Sequence, residues 1–131
     1  MRFESEAGRS IENPAEADLN RLLGELNGSS NSYASLTMPD GSYIQAGGGP
    51  SEFTVEVRNI RSGDSFVHWK AGRKNGRVSE RQLLIGGASV TVGENQILDL
   101  ATVQQLFSSF QREQTLDGSM QWRDISSMFA Q

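Results

Sequence analysis

The sequence predicts an α+β fold: a mostly antiparallel sheet built of hairpins, with two helices packed on one face. Three observations carry this reading. Two segments, one early and one late, repeat apolar residues at helical spacing. The stretch between them alternates with a period of two. Turn-forming residues separate the alternating segments at hairpin distances.

Met1 to Ser5 reads as a short first strand. Asn13 is placed to cap a helix, with Pro14 at its first position and Glu16 near its positive end. Leu19, Leu22, Leu23 and Leu26 form one apolar face of that helix, and Asn27-Gly28 ends it. A strand follows over Ser32 to Met38, then the turn Pro39-Asp40-Gly41-Ser42, then a returning strand over Tyr43 to Ala46. Gly47-Gly48-Gly49-Pro50 is expected to break that strand. Phe53, Val55 and Val57 alternate with Thr54, Glu56 and Arg58, the clearest strand pattern in the chain. Arg61 to Asp64 turns, and Phe66 to Lys70 is a short strand. Ala71 to Glu80, polar and basic, is expected to be a loop. Leu83 to Ile85 and Val90 to Val92 flank Gly86-Gly87 as a hairpin. Asp99 caps a second helix whose stripe is Leu100, Val103, Leu106, Phe107 and Phe110. Met120 to Ile125 reads as a last strand.

A chain of 131 residues fits a single domain, expected over 1–131, and needs no disulfide or metal to fold. It has no cysteine, no apolar run long enough to span a bilayer, and no apolar stretch behind Met1, so a cytoplasmic protein is expected. The formal net charge is −4, yet residues 53–82 carry seven bases against three acids. An acidic chain is a poor ligand for phosphates, so nucleic acid is not the expected partner. Its overall field suits a basic protein partner.

Chemistry-bearing patterns are sparse. His68 is the only histidine, and the chain has no Gly-x-Ser-x-Gly elbow. A single histidine without an acid at ligand spacing makes a poor metal site. Gly47-Gly48-Gly49-Pro50 lacks the Lys-Ser/Thr of a phosphate-binding loop, and no helix follows it. No catalytic residue, cofactor or metal is therefore expected. The pairs Glu4/Glu6 and Glu52/Glu56 read as solvated carboxylates or partner contacts. Most large aromatics fall on core positions, while Tyr33, Tyr43 and Trp69 are candidates for an interface.

The run Gly41-Ser42-Tyr43-Ile44-Gln45-Ala46-Gly47-Gly48-Gly49-Pro50, followed by Phe53-Thr54-Val55-Glu56-Val57-Arg58 and then His68, resembles bacterial immunity proteins of the Imm family paired with deaminase toxins in polymorphic toxin systems. The late aromatic stripe Leu106-Phe107 with Phe110, and the end segment Met120-Gln121-Trp122-Arg123, extend the resemblance over Leu19 to Trp122. It implies a protein that binds a cognate toxin and blocks its active site. It also implies that the toxin is a zinc-dependent nucleic-acid deaminase, whose basic surface an acidic inhibitor would contest.

The alternative is an effector or secretion chaperone, which binds its partner without inhibiting it. A small enzyme would need a pocket around His68 with two carboxylates. The expected toxin-binding residues are Asp40 and Asp64 at turn tips, Glu56 on the polar face of its strand, and Tyr43, His68 and Trp69 beside it. The competing reading of Glu56, Arg58 and His68 is a cross-strand polar cluster that only holds the sheet together.

Overall fold

The computed structural model describes residues 1–129. Nine strands and two α-helices follow in the order β1 (Arg2–Ser5), β2 (Ser10–Glu12), α1 (Glu16–Leu23), β3 (Tyr33–Thr37), β4 (Tyr43–Gly48), β5 (Phe53–Ile60), β6 (Phe66–Arg73), β7 (Glu80–Ile85), β8 (Ala88–Gly93), α2 (Leu100–Glu113) and β9 (Met120–Asp124). Two single 3-10 turns, Glu94–Gln96 and Ser126–Phe129, precede α2 and follow β9. Seven strands form one sheet in the order β2-β1-β3-β4-β5-β6-β9, and every neighbouring pair is antiparallel. Strands β7 and β8 form a separate two-stranded hairpin. The predicted α+β fold is thus the observed one.

The register explains why the sheet has two different faces. Phe3 lies opposite Leu36, Leu36 opposite Ile44, Ile44 opposite Val57, and Val57 opposite Trp69. Because strand side chains alternate, this row and its companion Ala34–Ala46–Val55 point to one side. There they meet Leu19, Leu22, Leu23 and Leu26 from α1 and its exit turn, and Val103, Leu106, Phe107 and Phe110 from α2. These side chains form one buried cluster. Burying a large apolar side chain contributes about 1.5–3 kcal/mol, so this cluster is the main stabilising element.

Helix α2 begins where expected, since Asp99 Oδ1 accepts from the Thr102 amide at 2.8 Å. Helix α1 does not. Its cap is Ala15, whose amide donates to Asp18 Oδ2 at 3.0 Å. Asn13 instead takes a positive φ of 48°, and its Oδ1 accepts from the Met1 ammonium at 3.0 Å. Pairing of Arg2 with Glu12 brings Met1 and Asn13 together, and that contact outcompetes the cap. The helix also ends at Leu23, although Leu26 stays buried in the turn beyond it.

Three further departures concern small residues. Strand β4 runs through Gly47 and Gly48 rather than breaking there. Strand β6 continues to Arg73, with Ala71 and Gly72 buried, so the loop is confined to 74–79. The three-residue β2, unexpected from the sequence, is a polar edge strand. The β7–β8 turn matches expectation, and Gly86 and Gly87 supply its two positive φ values of 58° and 79°.

Candidate protein-binding face of the sheet

The side of the sheet away from the helices carries the polar residues of the same strands. Glu56 and Arg58 are two apart in β5, and Phe66, His68 and Lys70 are spaced alike in β6. Antiparallel pairing sets Arg58 opposite His68 and Glu56 opposite Lys70. Tyr43 of β4 lies opposite Arg58 on the other flank.

His68 is the centre of this group and is only 1% exposed. Its Nε2 lies 2.6 Å from Glu56 Oε1, and its Nδ1 lies 3.0 Å from Arg58 Nε. An arginine Nε–H can only donate, so Nδ1 is the acceptor and the ring proton sits on Nε2. His68 is therefore held between a cation and a carboxylate, with neither ring nitrogen left for a substrate. Its backbone is engaged as well: its amide donates to Ser126 Oγ at 2.8 Å and its carbonyl accepts from the Ile125 amide at 2.8 Å.

Glu56 receives opposing influences. Burial alone would push its carboxyl up, but the His68 hydrogen bond and the charges of Lys70 and Arg58 hold it below the usual carboxylate range. Lys70 is pulled down by burial, with Glu56 opposing and Arg123 adding to the shift. Burial also raises the Tyr43 hydroxyl.

Arg58 is boxed by aromatic rings. Its guanidinium lies 3.8 Å from the Phe66 ring centroid, 4.8 Å from that of Phe129 and 5.6 Å from that of Tyr43. Phe129 also packs against His68 at 4.3 Å between centroids. Among the described residues only Nε of the Arg58 side chain makes a hydrogen bond, which leaves both terminal nitrogens of a fixed fork to other partners.

The β3–β4 and β5–β6 turns lie at one end of the sheet, where the Ile60 amide donates to Ser42 Oγ at 2.9 Å. Asp40 and Asp64 are exposed in these turns. Asp40 also shapes its own turn, its Oδ1 accepting from the Ser42 amide at 2.8 Å. The arrangement therefore gathers Asp40, Tyr43 and Asp64 near one end of the face and places Glu56 and His68 on the same face.

Trp69 is the exception. Alternation turns it to the helix side, where it packs against the buried cluster with its indole N–H buried and unbonded among the described residues. The expected patch of His68 with Trp69 does not form, because consecutive strand residues point to opposite faces. The residues missing from the sequence reading are Phe66, Lys70 and Phe129. Phe66 and Lys70 share the parity of His68, a signal the alternation carried. Phe129 carries none, since its place depends on the chain folding back after β9. The two carboxylate pairs are dispersed: Glu52 is bound by Arg81 Nη2 at 2.9 Å, and Glu6 accepts from Ser32 at 2.7 Å.

Above the other end of this face sits the β7–β8 hairpin. Ile85 packs over Gly47 so closely that a Cβ on Gly47 would lie 2.7 Å from Ile85 Cδ1. Among the described residues no group of three or more histidine or acidic side chains is placed to hold a metal ion. No described helix is long and apolar enough to cross a membrane. Comparison with protein-family models and with curated proteins gives no match to this sequence.

Proposed function

We propose that this chain is an immunity protein that binds and neutralises a cognate bacterial toxin, a nucleic-acid deaminase, by covering its active site. The observation that carries the reading is the composition of one end of the helix-free face. An arginine is fixed by His68 and the rings of Tyr43, Phe66 and Phe129, with exposed Asp40 and Asp64 at the neighbouring turns. Arginine and tyrosine held in place lose little conformational freedom on binding, which is the property of interface hot spots. Two carboxylates at the same end suit the basic surface of an enzyme that handles a phosphate backbone. The resemblance of Gly41 to Arg58 and His68 to toxin-paired immunity proteins supports the same assignment. The site of action is the cytoplasm of the producing bacterium, where a toxin with nucleic-acid substrates would do harm.

The test is co-expression with the deaminase toxin domain encoded beside this gene, followed by copurification and assay of the purified toxin. Cell survival, a stable complex and lost deamination are expected. Survival with the purified toxin still active would indicate a chaperone, and no rescue with no complex would overturn the proposal.

A further inference from the structure

A second feature of the helix-free face lies beyond the arginine box. A cleft of about 580 Å³ opens between strands β6 and β9 on one side and β8 with its following turn on the other. Lys70 and Arg123 line it as direct cross-strand partners, a like-charge pairing that is unfavourable by itself. The Lys70 side chain is 12% exposed, and its only ion pair among the described residues is to Glu56 Oε2 at 3.8 Å. The other oxygen of Glu56 is already taken by His68. The Arg123 side chain makes no hydrogen bond or ion pair among the described residues. Of the two cations, Lys70 thus has one long ion pair to a shared carboxylate and the Arg123 side chain has none among the described residues.

We propose that this cleft binds an acidic segment of a partner polypeptide, with Lys70 and Arg123 holding its carboxylates. The rest of the lining favours a peptide over a bare anion. Gln121 and Asn95 offer side-chain amides for a peptide backbone, and Val78 and Trp122 offer apolar surface for side-chain stems. Against the net negative charge of the chain, Lys70 and Arg123 make this cleft the place where an acidic segment would be drawn. Glu80 also lines it and opposes an acidic occupant. The site is independent of the toxin reading, because a short acidic peptide suffices to fill it.

The experiment is an NMR titration of the full isotope-labelled chain with a capped tetraglutamate peptide, with capped tetraglutamine and inorganic phosphate as separate arms. Tetraglutamate is expected to shift the Trp122 indole and the Gln121 and Arg123 amides saturably, and the other two are expected to bind more weakly. Arg123→Gln is expected to weaken tetraglutamate binding about tenfold, the loss of one charge-assisted hydrogen bond. Glu80→Gln is expected to tighten it, and this exposed position serves as the independent variant should Arg123→Gln fold poorly. No saturable shift at these signals overturns the proposal. So does tetraglutamine or phosphate matching tetraglutamate, or Glu80→Gln leaving affinity unchanged or lower.

Discussion

Arg58 Nε donates to His68 Nδ1 at 3.0 Å, and this one bond fixes the proton of the buried imidazole on its other nitrogen, where Glu56 receives it at 2.6 Å. Three residues on two adjacent strands thereby form a directional chain from cation to carboxylate. The expected consequence is a single ring tautomer of His68, with its proton on Nε2. Nitrogen chemical shifts of the ring in labelled protein near neutral pH check it. Signals of the Nδ1–H tautomer or of an imidazolium there would contradict the assignment.

Glu56→Gln tests the same chain through stability. The substitution removes the charge that Lys70 faces and weakens the His68 hydrogen bond, while preserving shape. A hydrogen bond to a charged, partly buried group contributes about 1.5–3 kcal/mol, so urea denaturation should show a loss of that order. A loss within experimental error would mean that the cluster does not hold β5 to β6. Such a result would favour reading these side chains as poised for a partner.

Much of this architecture was legible because it follows from alternation. Phe53, Val55 and Val57 point to the core and Glu56 and Arg58 away from it, as the period of two requires. The stripe on α2 and its Asp99 cap were equally local. What was not legible depends on contacts far apart in sequence. Asn13 was drawn away from its cap position by Met1, and β2 exists only because β1 offers it an edge. Gly47 and Gly72 read as loop residues, but they are strand positions kept small by Ile85 and Asn95 packed above them. The pairing of Lys70 with Arg123 needs the register of β9, which nothing local specifies.

Gly47→Ala provides a direct test of that packing. The new methyl would meet Ile85 Cδ1 at 2.7 Å, and Ile85 belongs to the separate β7–β8 hairpin. Overpacking of this kind costs about 1–3 kcal/mol. Amide exchange should quicken in 80–93 while the core strands β4 and β5 stay protected. Adding Ile85→Ala should recover part of the loss, and additive effects in the double mutant would show that the two residues do not touch.

Acid stability should fall at a defined place. Hydrogen bonds from Ser119 hold the Asp117 carboxyl down to about 2, with Gln105 and Ser109 helping. A carboxyl with a lowered folded value stabilises the protein above its unfolded value, near 3.8, and that contribution is lost as the pH falls toward about 2. Glu56, also held low, adds in the same direction. Asp117 is half-exposed, so after solvent screening the contribution is about 1 kcal/mol. Asp117→Asn should therefore be less stable than the parent at pH 7 and nearly equal to it near pH 2. A constant gap across that range would assign the loss to something other than the charge.

The two turn acids should separate on substitution. Asp64 makes no side-chain hydrogen bond or ion pair among the described residues, so Asp64→Lys should keep full stability and weaken toxin binding by slowing association. Asp40 accepts from the Ser42 amide, and Ser42 in turn accepts from Ile60, so Asp40→Lys removes a turn-forming bond as well as a charge. It should lose about 1 kcal/mol of stability in addition to its effect on binding. Asp40→Asn retains the turn acceptor and removes only the charge, so it should be as stable as the parent and still bind less well at low salt. Association measured by surface plasmon resonance at low and high ionic strength distinguishes the cases. If neither Asp64→Lys nor Asp40→Asn changes the association rate, the acids at this end of the sheet do not face the toxin.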